Sequence, residues 1–294
     1  MHFKQCSTDE DISRHLILNT ALYKSSDFGM CSKPASVFIE EKIWSTMDNA
    51  PSLKESVFLS GNALKVIAII AMTIDHLAWI GIEEYSQAEV PLQLFLHCIG
   101  RLTAPIMIFF VAEGYHHTRN FKKYLGRMAM LTVVSHFAFC YFSQPSFNPF
   151  ENQLFNATSI AWPLMWGLIF LKVWDAEKLN AWLKVLITIA GCVLTVTSDW
   201  SCAAPLAILM VGRNRGNFYK QMLWLMVVIT LYAVGFFVFN NQTYGMVHMA
   251  CWFTVPLLSL YNGQRGKISW LGKFFYCYYP AHMALIGLIV HVFM

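Results

Sequence analysis

The run Ala63 to Ile82, ALKVIAIIAMTIDHLAWIGI, decides how this chain is read. Its twenty residues match the length at which an α-helix, rising 1.5 Å per residue, crosses the hydrocarbon core of a bilayer. Yet it carries Asp75 and His76 side by side. An ionisable side chain in the middle of such a helix costs about 2.5 to 3.5 kcal/mol on insertion scales, so residues of this kind face an interior cavity and carry function. The run predicts a membrane helix and, within it, the first place to look for chemistry.

The rest of the chain agrees with a membrane fold. Of 294 residues, 56% are hydrophobic and 13% charged, with 23 Phe, 15 Met and 10 Trp, more apolar surface than a soluble core hides. Apolar stretches at 63–82, 91–114, 124–142, 159–174, 181–197, 202–212, 219–239, 244–261 and 270–293 predict an all-α, polytopic transmembrane helical bundle of about nine spans over residues 58–294. The sixth is short, and the pair flanking Ser198 is alternatively a broken or re-entrant element. Residues 1–57 are polar, with eight acidic and six basic residues, and lack the pattern of a cleavable signal peptide. They read as a tail in which Val37 to Trp44 either lies as a short helix on the membrane surface or stays weakly ordered. The eight cysteines have no CxxC or zinc spacing and read as small buried fillers. No Lys/Arg cluster lies on a polar folded face, so no nucleic-acid partner is expected.

The basic residues set an orientation. Arg119, Lys122, Lys123 and Arg127 follow the second span, Lys172, Lys178 and Lys184 surround the fourth break, Arg213, Arg215 and Lys220 the sixth, and Arg265, Lys267 and Lys273 the eighth. The alternate breaks, 83–89, 143–159, 198–201 and 240–243, contain no Lys or Arg. Since basic loops stay in the cytoplasm, the N-terminus is expected inside and the C-terminus outside. Arg101 alone departs from this segregation, because it falls within an apolar span. No internal repeat of the kind that marks many secondary transporters is visible.

Lys65 and His76 are eleven positions apart, about three helical turns, so they share one face about 16 Å apart with Ile69 and Met72 between them. That spacing suits a long ligand with an anionic head and a reactive tip, such as acyl-coenzyme A; Lys65 alternatively is an interface anchor whose amine snorkels to water. Neighbours on a helix project about 100° apart, so Asp75 is expected to meet another helix rather than orient His76, with Arg101 as its partner. Pro105, four residues after Arg101, removes a helix bond to that carbonyl and is expected to kink the second span. Glu113, His116 and His117, with Arg119, are expected to line the cytoplasmic mouth and seat an anionic cofactor. A metal site is not predicted, because a di-iron bundle needs a second Glu-x-x-His that this chain lacks. Tyr279 and His282 near the middle of the last span, Asp199 in the run Ser198-Asp199-Trp200, and Asn152 in an outer loop supply polar groups toward the acceptor side.

Taken in order, these residues resemble the TraX family, membrane proteins similar to the F-pilin N-acetyltransferase. The resemblance covers residues 60–294. It rests on Lys65-x10-His76 in the setting LKVIAIIAMTIDH, on Gly100-Arg101 followed by Pro105, on Asn152-Gln153-Leu154-Phe155, and on the closing run from Phe274-Phe275 through Ala281-His282 to Gly287. It implies acetyl transfer from acetyl-coenzyme A to the N-terminal amine of a processed pilin at the bacterial inner membrane. His76 is then the catalytic base, Asp75 and Arg101 stand beside it, and Lys65 lies at the cofactor entrance. The family also resembles a broader superfamily of multispan acyltransferases. Where many relatives carry Asp-Tyr-Gly, this chain has Asp199-Trp200-Ser201, which puts a glycine-dependent turn there in question.

The mechanism expected from these residues has neutral His76 taking a proton from an amine that attacks the thioester. An acetyl-histidine intermediate is the variant, and Arg101 or His282 is the donor to the developing oxyanion. Two rivals remain open: a proton-coupled transporter or exporter using the same buried charges, and a non-catalytic pilus assembly factor.

Overall fold

A computed structural model describes residues 59–79, 91–148, 150 and 158–293. The tail 1–57 with its Val37 to Trp44 segment, the 83–89 break, and Asn152, Gln153, Leu154, Phe155 and Asn156 lie outside the described residues. Among those described the architecture is all-helical, with one isolated parallel bridge between Leu59 and Tyr261.

The helices in chain order are α1 (Gly61–Ala78), α2 (Pro91–Gly100), α3 (Thr103–His117), α4 (Phe121–Ser143), α5 (Ala161–Trp174), α6 (Ala181–Thr195), α7 (Ala203–Arg213), α8 (Phe218–Phe239), α9 (Gln242–His248), α10 (Thr254–Ser259) and α11 (Leu271–Leu288). A 3-10 turn, Met249–Phe253, joins α9 to α10, and a π turn, Ile289–Phe293, follows α11. Asparagine begins three of these helices by accepting from a backbone N–H of the first turn: Asn120 from Lys123 at 3.0 Å, Asn217 from Lys220 at 3.0 Å and Asn241 from Tyr244 at 3.1 Å.

Among the described residues, five helical stretches are long and apolar enough to cross a membrane: 61–78, 91–117, 121–143, 218–239 and 271–292. Nine spans are expected from the sequence; α5, α6 and α7 are apolar but shorter than the roughly 20 residues of a standard crossing, with 14, 15 and 11 residues. The expected span 244–261 is broken into α9, the 3-10 turn and α10. Pro256 has no N–H for the carbonyl of Trp252, and the ring of His248 takes the carbonyl of Tyr244 at 2.6 Å. Large apolar side chains point outward from several helices, including Trp182, Val193, Leu231 and Phe239. A water-facing surface would not carry this much apolar area, and the protein is a multi-pass membrane protein in a lipid bilayer.

Two local features position the site. The break between α2 and α3 falls at Arg101 and Leu102, where Pro105 withholds the N–H that would bond the Arg101 carbonyl; Cys251 Sγ donates to that carbonyl instead, at 3.2 Å. This gives Cys251 a polar role beyond filling space, and Cys277 is exposed rather than buried. At the start of α1, Ser60 caps Ala63, and the chain is stitched to the loop after α10. Leu59 N–H donates to Leu260, Gly61 N–H to Gln264 and Asn62 N–H to Arg265, at 2.8, 2.8 and 2.9 Å. That stitching brings Arg265 beside the helix carrying Lys65.

Candidate active site

Asp75 and His76 face different helices, as their angular separation on α1 requires. Asp75 turns toward α2. Its Oδ1 accepts from His97 Nδ1 at 2.7 Å, and Arg101 Nη2 lies 3.4 Å from both carboxylate oxygens. Arg101 Nη1 reaches His248 Nε2 at 3.3 Å, while His248 Nδ1 donates to the Tyr244 carbonyl. A carbonyl only accepts and a guanidinium only donates, so the tautomer of His248 is fixed by its two neighbours. α1 and α2 come this close because residue 100 is glycine: a Cβ there would collide with the Cβ, Cγ and Oδ1 of Asp75. Among the described residues, the buried Nε2 of His97 and Nε of Arg101 have no partner.

His76 turns the other way, toward α11 and α4. Its Nδ1 lies 2.7 Å from His282 Nε2, and the two rings stack with centroids 4.9 Å apart. His282 Nδ1 donates to the Tyr278 carbonyl at 2.9 Å, so its Nε2 is the acceptor when the ring is neutral. The hydrogen between the two imidazoles then belongs to His76 Nδ1, leaving the lone pair on His76 Nε2. Tyr278 stacks on His282 at 5.0 Å, its hydroxyl meets Thr73 Oγ1 at 2.7 Å, and Phe142 of α4 borders His76 at 5.5 Å.

A cavity of about 520 Å³ opens at the end of the bundle where basic residues gather. Lys65, Arg127, Arg265 and Lys273 line it together with Glu113 and His117, and its inner walls include Met72, Ile160, Leu164 and Tyr279. Lys65 Nζ rests 5.0 Å from the centre of the Phe110 ring. His76 is not itself on the cavity wall; it stands one turn beyond Met72, about 6 Å along the axis. A second cavity of about 770 Å³ adjoins the first, sharing Glu113, Tyr261 and Gly263, and is lined also by His116, Asp175, Arg213 and Arg215.

The residues expected at the mouth are therefore divided. Glu113 lines both cavities and pairs with Arg215 at 3.2 Å. His117 lines the first, with Nδ1 donating to the Glu113 carbonyl at 2.9 Å. His116 bonds the Gly212 carbonyl at 3.0 Å and lines the second, whereas Arg119 is exposed and lines neither. Tyr279 is on the inner wall of the first cavity. Asp199 begins the turn between α6 and α7, close enough to Arg101 and Asp75 to feel both charges.

That turn forms without glycine. Trp200 and Ser201 adopt φ of 63° and 44°, in the left-handed region that ordinary side chains avoid. The buried Trp200 ring offsets the strain, stacking on Tyr232 at 5.3 Å and meeting His248 edge-on at 5.3 Å, so the turn braces the histidine that holds Arg101.

Sequence reasoning passed over His97 and His248, and did not assign Arg127, Arg265 and Lys273 to a ligand cavity. His97 had a signal: it stands four residues before Arg101 in an apolar span.

Residues 60–290 match the family model described as TraX protein. The probable fimbrial assembly protein FimC, serogroup H1, of Dichelobacter nodosus is 27% identical over 246 residues, which is 80% of this chain and 97% of that relative. No solved structure matches the chain. With the family model covering nearly the whole helical part, the protein belongs to the TraX family.

Proposed function

We propose that this protein is an integral-membrane acetyltransferase that moves an acetyl group from acetyl-coenzyme A to the N-terminal amine of a pilin-like acceptor. In this reading it sits in the bacterial inner membrane, N-terminus cytoplasmic and C-terminus periplasmic. The observation that carries the reading is a cavity with a cationic mouth whose inner wall stops one turn short of a histidine held in a single tautomer. Membership of the TraX family and the name of the Dichelobacter relative support the pilus connection, and the gathering of basic residues in alternate breaks supports the orientation.

Lys65, Arg127, Arg265 and Lys273 hold the phosphates of the donor, and the apolar walls beyond them take the pantetheine arm. Met72, unbranched and flexible, is the side chain that must move to bring the thioester to His76. His76 Nε2 takes a proton from the attacking amine as the new C–N bond forms. The C–S bond breaks, and His76 returns the proton to the departing thiolate, so the products are an amide and free coenzyme A thiol. In the variant route the same lone pair attacks the thioester carbon first. His282 has both ring nitrogens engaged and serves as a positioning residue. Arg101, whose Nε has no partner among the described residues, is the donor this reading assigns to the oxyanion.

Two other readings each have an observation behind them. The buried Asp75–His97–Arg101–His248 network fits a proton relay in a transporter, and the relative's name fits an assembly factor without catalysis. Purified protein in liposomes, given labelled acetyl-coenzyme A and a pilin N-terminal peptide, separates the three. The enzyme passes label to the peptide amine, and His76→Ala abolishes transfer without loss of folded protein. A transporter moves solute without donor, and an assembly factor binds peptide without labelling it.

A further inference from the structure

Resting on the acetyltransferase reading, we infer that the second cavity is the seat of the 3′-phosphate of coenzyme A, with Arg213 and Arg215 as its ligands. The chemistry of the donor fixes the order of its parts: thioester, pantetheine arm, pyrophosphate, then a ribose carrying the 3′-phosphate and adenine. With the thioester at Met72 and Tyr279, the pyrophosphate falls among the four cations of the first cavity. Lys65 is about 10 Å of helix rise from Met72. The nucleoside must then continue past the mouth. At the shared wall of Glu113, Tyr261 and Gly263 the larger cavity begins, and it brings two arginines.

Both arginines are suited to a phosphate. Arg215 commits Nε and Nη2 to Glu113, which leaves Nη1 without a partner among the described residues and neutralises the carboxylate that would otherwise repel an anion. Arg213 lies over the Trp174 ring at 5.0 Å, an arrangement that fixes the guanidinium plane while leaving its N–H groups to a ligand. The cavity's other carboxylate, Asp175, accepts from Tyr115 at 2.6 Å. Gly212, Gly216 and Gly263 line the same walls, so backbone as well as side chain lies open to the ligand.

Dephospho-coenzyme A lacks only the 3′-phosphate, which makes it the discriminating probe. Binding of coenzyme A and of dephospho-coenzyme A to the full chain in detergent is measured by calorimetry. The intact protein should prefer coenzyme A by about tenfold, the worth of one charge-assisted phosphate contact. Arg213→Gln, and the pair Arg213→Gln with Arg215→Gln, should erase the preference by weakening coenzyme A alone. Arg119→Gln, on an arginine lining neither cavity, should preserve it. Equal affinity for both ligands in the intact protein, or a preference surviving the double substitution, overturns the inference while leaving the acetyltransferase reading intact. Binding of neither ligand overturns both. Because Arg215 also pairs with Glu113, the single Arg213 variant keeps the test valid if the double variant fails to fold.

Discussion

His76 Nδ1 and His282 Nε2 lie 2.7 Å apart although 206 residues separate them in sequence, and the Tyr278 carbonyl behind His282 fixes the direction of the hydrogen between them. This contact makes Nε2 of His76 the reactive nitrogen. Replacing His282 with Leu should lower kcat for acetyl transfer by about 10- to 100-fold with little change in the KM for acetyl-coenzyme A. His282→Gln, whose amide oxygen can still accept from His76, should recover part of the loss. A Leu variant with unchanged kcat would remove His282 from the positioning role.

Buried Arg101 and half-buried Asp75 form a pair that neither residue can leave cheaply. Asp75→Asn strands the guanidinium and should cost about 3 to 5 kcal/mol, read as loss of monodisperse protein or a fall in melting temperature in detergent. Combined with Arg101→Gln, the damage should be less than the sum of the single losses, a coupling of about 1 to 3 kcal/mol. Strict additivity would mean that the two charges do not depend on one another.

Gly100 sets the distance between α1 and α2. Gly100→Ala introduces a methyl group where Asp75 already stands, and should destabilise the protein by about 1 to 3 kcal/mol. Thermal unfolding followed by tryptophan fluorescence checks this, and an unchanged melting temperature would contradict the close approach.

The turn at Trp200 and Ser201 gives two glycine substitutions of opposite sign. Ser201→Gly relieves a left-handed φ without removing a packed ring, and should stabilise by about 1 kcal/mol. Trp200→Gly relieves the same kind of strain but removes the ring packed on Tyr232 and His248, and should destabilise by about 2 kcal/mol or more. Differential scanning fluorimetry reads both; a shared sign would contradict the account of the turn.

Helix positions were legible in the sequence because apolar length alone marks them, and Pro105 marked the break at Arg101 because a missing N–H acts locally. The divergence of Asp75 from His76 followed from helical geometry. What the sequence did not carry was contact at long range: His97 and His248 close the network around Asp75 and Arg101, and Arg265 reaches the cavity mouth only through the backbone bonds that tie its loop to α1. Helix length was the other gap. α5, α6 and α7 are apolar along their whole length, so composition marks them as spans while the caps and turns that shorten them carry no comparable signal.

Acetyl transfer at His76 requires a route from the cationic mouth, and Met72 is the last residue of the cavity wall on that route. Met72→Cys, in otherwise intact protein reconstituted in liposomes, is treated with a membrane-impermeant maleimide on the side bearing the basic loops and read by intact mass. One adduct beyond those of the parent protein is expected, and it is lost when coenzyme A is present. No added adduct, or one that coenzyme A leaves untouched, rules the route out.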